Sequence, residues 1–161
     1  MRSIEEKIVP TNKILELCEK LRAAGKNIVT TNGCFDLIHL GHISYLIEAR
    51  NLGDILIVGL NSDSSVKQLK GPSRPIQSEL TRAKQLAGLE SVDFVTIFSD
   101  STPIPLLKLI KPTIHVKGGD YSPEQLPEKS TVEAFGGKVV CVSAVAGFST
   151  TDLLKRIKTT T

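Results

Sequence analysis

The chain has 161 residues, 40% hydrophobic and 23% charged, which is ordinary for a globular protein and excludes fibrous and disordered classes. Twenty Lys and Arg against 17 Asp and Glu leave a net charge of +3, too small a bias to indicate nucleic-acid binding. No apolar run approaches the roughly 18 residues of a membrane span, and three cysteines without CxxC spacing indicate reduced thiols, so we expect a soluble cytoplasmic protein.

The first predicted element is an amphipathic helix that precedes the sheet. Residues 12–24 place apolar side chains on one helical face, and Gly25 follows as the stop. We expect residues 1–26 to be a helical extension on a core formed by residues 27–158. The whole chain is therefore predicted to be one domain.

Five short runs rich in β-branched residues follow, separated by helical patterns. This order is typical of a parallel sheet covered by helices on both faces. The predicted strands are residues 27–31, 55–60, 93–98, 113–117 and 138–142. The predicted fold class is α/β, a Rossmann-like parallel sheet with strand order 3-2-1-4-5.

The helices between these strands carry start and stop signals. The first is expected to run through about Arg50, where Gly53 ends it. Ser78 is a candidate N-cap for a helix over residues 79–89, and another is predicted over residues 103–110. All three are short enough to serve as crossovers between neighbouring parallel strands.

Two further helices are predicted near the C-terminus. Ser130 with Glu133 has capping-box spacing, and Ser149 with Asp152 repeats it before the last helix. We expect residues 158–161 to fray, because a chain end has few partners.

The predicted topology locates the ligand site. In sheets of this kind a crevice opens beyond the carboxyl ends of the strands, where the strand order reverses. With the order 3-2-1-4-5, segments 31–36 and 117–121 leave the first and fourth strands and face each other there.

His39-Leu40-Gly41-His42, just past the first strand, is the most specific feature of the sequence. The i,i+3 spacing predicts both imidazoles on one helical face, and Gly41 leaves room for an anion at the first turn. Two donors there suit a phosphoryl group that gains charge in a transition state. Two partly exposed histidines near a turn, or a metal pair, would give the same spacing. The metal pair lacks a third ligand nearby, and His115 within a strand is better explained as a neutral core residue.

Four other segments have both a functional and a structural interpretation. The turn 31–36 can approach a ligand through Gly33, or can be a tight turn in which Asp36 bonds nearby backbone and Phe35 packs. The turn 117–121 and the segment 147–151 can bind phosphates, or can be an exposed turn and a helix cap. The basic stretch 67–75 can close over a triphosphate, or can be a solvated loop.

Together, the segments TNGCFD, HLGH, KGGDY and FSTT resemble the HxGH nucleotidyltransferase superfamily over nearly the whole chain. Within it, TNGCFDLIHLGH, LNSDSSVKQLKGPSRP and VKGGDY are most similar to the D-glycero-β-D-manno-heptose 1-phosphate adenylyltransferases. These include the C-terminal half of the bifunctional heptose kinase/adenylyltransferase.

The resemblance implies a role for individual residues. The implied catalytic residues are His39, His42 and Lys70. The implied nucleotide-binding residues are Thr31, Asn32, Gly33, Cys34, Phe35, Gly41, Lys67, Arg82, Lys117, Gly118, Ser149 and Thr150. The implied substrate-binding residues are Asp36, Asn61, Asp63, Arg74 and Asp120. Lys67 and Lys70 would act from a mobile loop, and Arg82 would be a further phosphate contact.

The implied reaction is adenylyl transfer from ATP to D-glycero-β-D-manno-heptose 1-phosphate, giving ADP-heptose and pyrophosphate for lipopolysaccharide precursors. Mg²⁺ would arrive on ATP, without a metal held by the protein. We expect a homodimer, a separate heptose kinase upstream, and neither nucleic acid nor membrane as partner. Related cytidylyltransferases often carry Arg-x-x-Gly-Ile-Ser-Thr-Thr at the last motif, and that arginine is absent here.

Two alternatives to this reaction remain open. The chain can be a cytidylyltransferase acting on a polyol phosphate such as glycerol 3-phosphate, because the motifs recognise phosphates better than bases. It can also be a nucleotide-binding module without chemistry. Dehydrogenase and P-loop classes are excluded, because neither GxGxxG after the first strand nor GxxxxGK[ST] is present.

Overall fold

A five-stranded parallel sheet forms the centre of the computed structural model, which describes residues 2–119, 121–143 and 145–160. The strands are β1 (Ile28–Gly33), β2 (Ile55–Asn61), β3 (Phe94–Phe98), β4 (Ile114–Gly118) and β5 (Lys138–Val142). Their order is β3-β2-β1-β4-β5, which confirms the predicted topology. Each predicted strand is present, with bounds shifted by no more than two residues, because β-branched runs bounded by turn formers are strong local signals.

Helices surround the sheet. In the described part of the chain they are α1 (Ile4–Lys7), α2 (Thr11–Ala23), α3 (Leu40–Arg50), α4 (Asp63–Lys70), α5 (Glu79–Ala87), α6 (Ile104–Ile110), α7 (Lys129–Ala134) and α8 (Thr150–Thr160). None of these described helices has the length and apolarity needed to cross a bilayer.

Helix α4 corrects the prediction of a basic loop over residues 67–75. Ser62 caps it, its Oγ accepting a hydrogen bond from the Ser65 backbone N–H at 3.2 Å, and Asp63 lies in its first turn. Lys67 and Lys70 are therefore held on a helix, and the loop begins only at Gly71.

Two predictions near the C-terminus also need correction. The residue at the N-cap of α7 is Glu128, so Ser130 lies inside that helix and forms no capping box. Helix α8 continues to Thr160, where fraying was expected from residue 158, and Thr161 lies outside the described residues. The cap predicted at Ser149 is present, since its Oγ accepts from the Asp152 backbone N–H at 3.0 Å.

Alternate residues of the central strands pack on opposite faces of the sheet. On β2, Leu56 and Val58 join a core cluster with residues of α3 and α5, whereas Ile55 and Ile57 join another with residues of α2 and α6. Cys18 of α2 lies in the second cluster, and burial raises the pKa of its thiol to about 11. Both faces of the sheet are thus covered, which explains why β2 is apolar at nearly every position.

Strands β1 and β4 separate toward their carboxyl ends. β1 pairs with β2 along its whole length, from Ile28 opposite Ile55 to Gly33 opposite Leu60. In the described register, β1 pairs with β4 only from Val29 to Thr30. Beyond that point the two strands leave a crevice at the predicted switch in strand order.

His115 on β4 makes the stability of the fold sensitive to acid. Its side chain is fully buried, and its Nδ1 lies 2.9 Å from Thr30 Oγ1. Burial, with a smaller contribution from Lys117, lowers the pKa of His115 from 6.5 to about 4, against an opposing effect of Glu128. His115 takes up a proton near pH 6.5 in the unfolded chain but only near pH 4 in the folded one. Its contribution to the free energy of unfolding is therefore fully present above pH 6.5 and is lost as the pH falls toward 4.

His42 has a similarly lowered pKa, so both histidines contribute to this loss. We expect the free energy of unfolding to fall by roughly 2 to 4 kcal/mol between pH 7 and pH 5. Urea denaturation at each pH measures this difference. The control is His115→Asn, which keeps a polar partner for Thr30 and does not titrate. Its pH dependence should be visibly shallower, and an equally steep loss would contradict the assignment to His115.

Candidate functional site

A cavity of about 270 Å³ occupies the crevice between β1 and β4. Its walls come from the turn after β1, the start of α3, the end of β4 and the segment before α8. The lining residues are Asn32, Gly33, Cys34, Phe35, His39, Gly41, His42, Tyr45, Lys117, Gly118, Gly119, Ser143, Val145 and Phe148. Most of the residues predicted to bind a nucleotide are thus brought together in one place.

The two histidines form a stacked pair in the wall of this cavity. Their ring centroids are 3.8 Å apart, with an interplanar angle of 22°. His39 has extended backbone at the N-cap of α3, so it precedes the helix instead of sharing a helical face with His42. The predicted proximity is correct, but the rings meet by stacking across the helix start. His42 also contacts the Phe35 ring, with centroids 5.1 Å apart.

Both imidazoles are neutral at pH 7. Burial, reinforced by the neighbouring His39, lowers the pKa of His42 to about 4, while a backbone contact with Leu37 acts in the opposite direction. Burial also lowers the pKa of His39. Each neutral ring still carries one N–H donor, and an anion placed beside the pair favours protonation.

Gly41 is required by the packing around the histidines. A Cβ at this position would lie 3.0 Å from the His39 ring and 3.3 Å from Cβ of Phe148. Both contacts are tighter than ordinary van der Waals separation. Any larger residue would push the His39 ring or the segment before α8 out of place.

Asp36, predicted to bind substrate, anchors a loop. Its side chain is 1% exposed and accepts hydrogen bonds from Arg74 Nε at 2.7 Å and from the backbone N–H groups of Ile76 and Gln77 at 2.9 and 3.0 Å. Burial raises its pKa, but these donors outweigh burial and the net effect is a lowered pKa. The alternative interpretation expected bonds to nearby backbone, whereas the backbone N–H partners lie 40 and 41 residues away in the sequence. Asp36 also lines a cavity wall, so its role in substrate binding stays a prediction. Arg74 carries the compensating charge.

Arg82, predicted as a phosphate contact, is fully buried. Its guanidinium donates to the carbonyl oxygens of Cys34, Asn61 and Gln77 and to Oδ1 of Asp63, all within 3.0 Å. Arg82 lines neither cavity, so all of its contacts in this structure are with the protein, and a phosphate contact stays a prediction. Arg82 joins the turn after β1 to the end of β2 and the start of α4.

Asn61 and Asp63 are used in the same buried network. Asn61 Nδ2 donates to Ser65 Oγ at 2.9 Å, and the Asp63 backbone N–H donates to a Glu79 carboxylate oxygen at 2.7 Å. Asn61 also contributes to a cavity wall, and the Asp63 side chain is 36% exposed, so their role as substrate ligands stays a prediction.

A second cavity, of about 460 Å³, lies beside the first. The two share the turn 32–35, His42 and Lys117 as a common wall. Lys70, Arg74 and Thr150 line the second cavity, whereas Lys67 and Ser149 line neither. The structure thus separates the two lysines that the sequence paired.

Lys117 lies at the wall common to both cavities. Its Nζ donates to Glu128 Oε1 at 3.0 Å and to Asn32 Oδ1 at 3.3 Å. Gly118 follows it, and a Cβ there would be 3.2 Å from the Tyr45 ring. Asp120, predicted to bind substrate, lies outside the described residues.

Sequence reasoning missed Tyr45 and Glu128. The Tyr45 hydroxyl bonds Thr31 Oγ1 and donates to the Val116 carbonyl at 2.9 Å, so it crosses the gap between β1 and β4. Its i,i+3 spacing from His42 was an available signal. Glu128 belongs to no local motif and is brought to the site only by folding.

Acidic and metal-ligating side chains do not cluster here. Over residues 2–119, 121–143 and 145–160, no group of three His, Cys, Asp or Glu side chains is arranged to hold a metal ion. Imidazole, ammonium and guanidinium groups line the two cavities and can donate hydrogen bonds and stabilise negative charge.

Comparison with known proteins connects this geometry to a family. A sequence model described as cytidylyltransferase-like matches residues 30–160. The bifunctional protein HldE of Syntrophotalea carbinolica is 48% identical over 153 residues, covering 95% of this chain and 31% of that protein. HldE of Geotalea uraniireducens is 47% identical over 155 residues, covering 96% of this chain and 32% of that protein. The chain spans about a third of the length of these relatives.

A solved structure shares the fold. The lipopolysaccharide core biosynthesis protein from Thermoplasma volcanium superposes with a TM-score of 0.62 and 30% identity. The alignment covers 75% of this chain and 98% of that one.

Proposed function

Because the chain belongs to the cytidylyltransferase-like family, we propose that it transfers an adenylyl group from ATP to a sugar 1-phosphate. The acceptor we propose is D-glycero-β-D-manno-heptose 1-phosphate, with ADP-heptose as the product, a precursor for lipopolysaccharide. The observation that carries the proposal is the stacked pair of His39 and His42 at the start of α3, inside the crevice. The similarity to HldE proteins over 95% of the chain supports this choice of acceptor.

The proposed mechanism is an in-line displacement at the α-phosphorus. An oxygen of the acceptor phosphate forms a bond to that phosphorus, and the bond to the bridging oxygen breaks, so pyrophosphate leaves with the electron pair. The attacking phosphate is already ionised near neutral pH, so no strong general base is required. The histidine N–H groups would stabilise charge that builds up on the phosphoryl oxygens.

The two adjoining cavities suit the two ends of a nucleoside triphosphate. We propose that the nucleoside and the α-phosphate of ATP bind in the cavity that contains both histidines, and that the outer phosphates reach the one lined by Lys70 and Arg74. His42 belongs to both walls, and its position there supports the proposal that the reacting phosphorus lies at this boundary. Lys117 lies at the same boundary and would contact a phosphate of either substrate.

Mg²⁺ is proposed to enter with ATP. The ion prefers oxygen ligands and keeps several waters, so the triphosphate itself is a suitable carrier. When bound, it would neutralise charge on the departing pyrophosphate. The side chains of the crevice are donors rather than carboxylates, which suits phosphate oxygens better than a bare cation.

A panel of sugar 1-phosphates and polyol phosphates, crossed with the four ribonucleoside triphosphates, tests the proposal by pyrophosphate release. We expect ATP with heptose 1-phosphate to be the best pair. CTP with a polyol phosphate is the second candidate, favoured by the cytidylyltransferase-like description of the family. Nucleotide binding without turnover on any acceptor would instead indicate a non-catalytic module.

Replacing Lys70 with alanine is expected chiefly to raise the apparent KM for ATP, by about tenfold, with little change in kcat. Lys70 lines the second cavity from the last turn of α4, where its ammonium can reach an outer phosphate. The matched control is Lys67→Ala, three residues earlier on α4 and outside both walls, which should have a smaller effect. An unchanged KM in Lys70→Ala would remove Lys70 from the site.

The wider setting of the reaction is also proposed. We propose that the chain forms a homodimer. We also propose that a separate heptose kinase supplies the sugar 1-phosphate, and that both enzymes act in the cytoplasm, where ATP is available. Analytical ultracentrifugation tests the oligomeric state. A kinase assay with this chain tests whether phosphorylation of the sugar needs another protein.

A further inference from the structure

Lys117 has two fixed hydrogen-bond partners at the boundary between the cavities. Its side chain is 23% exposed, and its Nζ donates to Asn32 Oδ1 and Glu128 Oε1. Asn32 lies on β1 and Lys117 on β4, so the first bond crosses the gap that opens beyond Thr30. The second bond gives the ammonium a charged acceptor at 3.0 Å.

Glu128 is unusual because it is an acidic residue beside cavities that we propose bind phosphates. Its carboxylate is nearly buried, at 5% exposure of the side chain, and Oε2 has no hydrogen-bond partner among the described residues. Burial raises the pKa of this carboxyl, but its own backbone N–H and Lys117 outweigh burial and lower it. Glu128 is therefore a buried anion whose charge is compensated mainly by the Lys117 ammonium.

This pairing changes what Lys117 offers to a ligand. With Glu128 beside it, the ammonium adds little net positive charge to the crevice. It offers instead a donor whose position is fixed by two acceptors. A flexible lysine without them would lose side-chain freedom each time a ligand bound.

We propose that Glu128 is a positioning residue, which holds the Lys117 ammonium at the wall shared by the two cavities and thereby tightens ATP binding. Glu128 acts through Lys117 and does not touch the substrate. The role rests on the proposed function, because it requires a nucleotide in the crevice.

A double-mutant cycle separates this role from a merely structural one. Glu128→Ala, which removes the acceptor, should raise the Kd for ATP about tenfold, and Glu128→Gln, which keeps Oε1, about threefold. The loss should appear in KM with kcat changed by less than about threefold, because Lys117 binds ground and transition states alike. In a Lys117→Met background, Glu128→Ala should change Kd by less than about twofold.

The matched control is Glu133→Gln, on the exposed face of the same helix, where a similar carboxylate pairs with Lys129. It should leave Kd unchanged. Isothermal titration with ATP, beside a thermal melt of each variant, provides the measurements.

Equal effects of Glu128→Ala in both backgrounds would overturn the proposal, because Glu128 would then act on the fold. If the wild-type chain binds ATP and transfers adenylyl groups, and Glu128→Ala changes neither Kd nor KM for ATP, the role of Glu128 is overturned and the proposed function stands. A wild-type chain that binds no nucleotide would overturn both.

Discussion

Replacing His42 with alanine is expected to lower kcat by about a hundredfold or more, which is the cost of removing one transition-state donor. His42 is stacked on His39 and belongs to the walls of both cavities. We expect His42 to stabilise mainly the transition state, in which charge builds up on the phosphoryl group. The Kd for ATP should therefore change much less than kcat. Steady-state kinetics and isothermal titration measure the two quantities separately.

The control for this variant must separate the lost donor from lost packing, because His42 also contacts Phe35. His42→Asn keeps a neutral N–H donor near the same position and should retain more activity than His42→Ala. A thermal melt shows whether each variant is folded. Near-normal turnover in folded His42→Ala would contradict the catalytic role.

Replacing Arg82 with methionine is expected to lower the free energy of unfolding by about 3 to 5 kcal/mol, the usual cost of breaking a buried ionic network. The guanidinium donates to three carbonyl oxygens and to Asp63, and its side chain is fully buried. Methionine fills similar volume but leaves these acceptors without donors. Urea denaturation measures the loss.

Lys84→Met is the matched control, because Lys84 lies on the exposed face of the same helix. It should change the free energy of unfolding by no more than about 0.5 kcal/mol. The two interpretations of Arg82 predict opposite patterns. A phosphate contact would raise the Kd for ATP with little loss of stability, and that outcome would contradict the structural role.

Arg82 and Asp36 together show how the site is organised before a ligand arrives. Arg82 holds the turn after β1 through the Cys34 carbonyl, and Asp36 holds the loop that carries Arg74. Two buried charges thus tie the segments that line both cavities. Preorganisation of this kind reduces the entropy that substrate binding must overcome.

Much of the fold was predictable from local sequence. The strands and the helix caps at Ser78 and Ser149 follow from patterns within a few residues, whereas the strand order was expected from the topology of this class of sheet. The errors are also local. Helix α4 was mistaken for a loop because its lysines and the following Gly71-Pro72 suggested solvated chain, although Ser62 and Asp63 marked a helix start.

The candidate site was predictable where its residues are close in sequence. His39, Gly41 and His42 lie within one turn, and the topology places them in the crevice beside Lys117. Residues with an apparently functional charge were harder to assign. Asp36 and Arg82 were predicted as ligand contacts, and both are buried in structural bonds.

The sequence by itself determined the α/β class, the position of the crevice and the histidine pair, because hydrophobic periodicity and motif spacing depend on near neighbours. Only the tertiary structure decided which charged groups line the cavities and which support the walls. The partners of Arg82 and Asp36 are remote, since Cys34 is 48 positions from Arg82 and Gln77 is 41 from Asp36. The desolvation that turns such groups into buried pairs exists only once those segments have packed together.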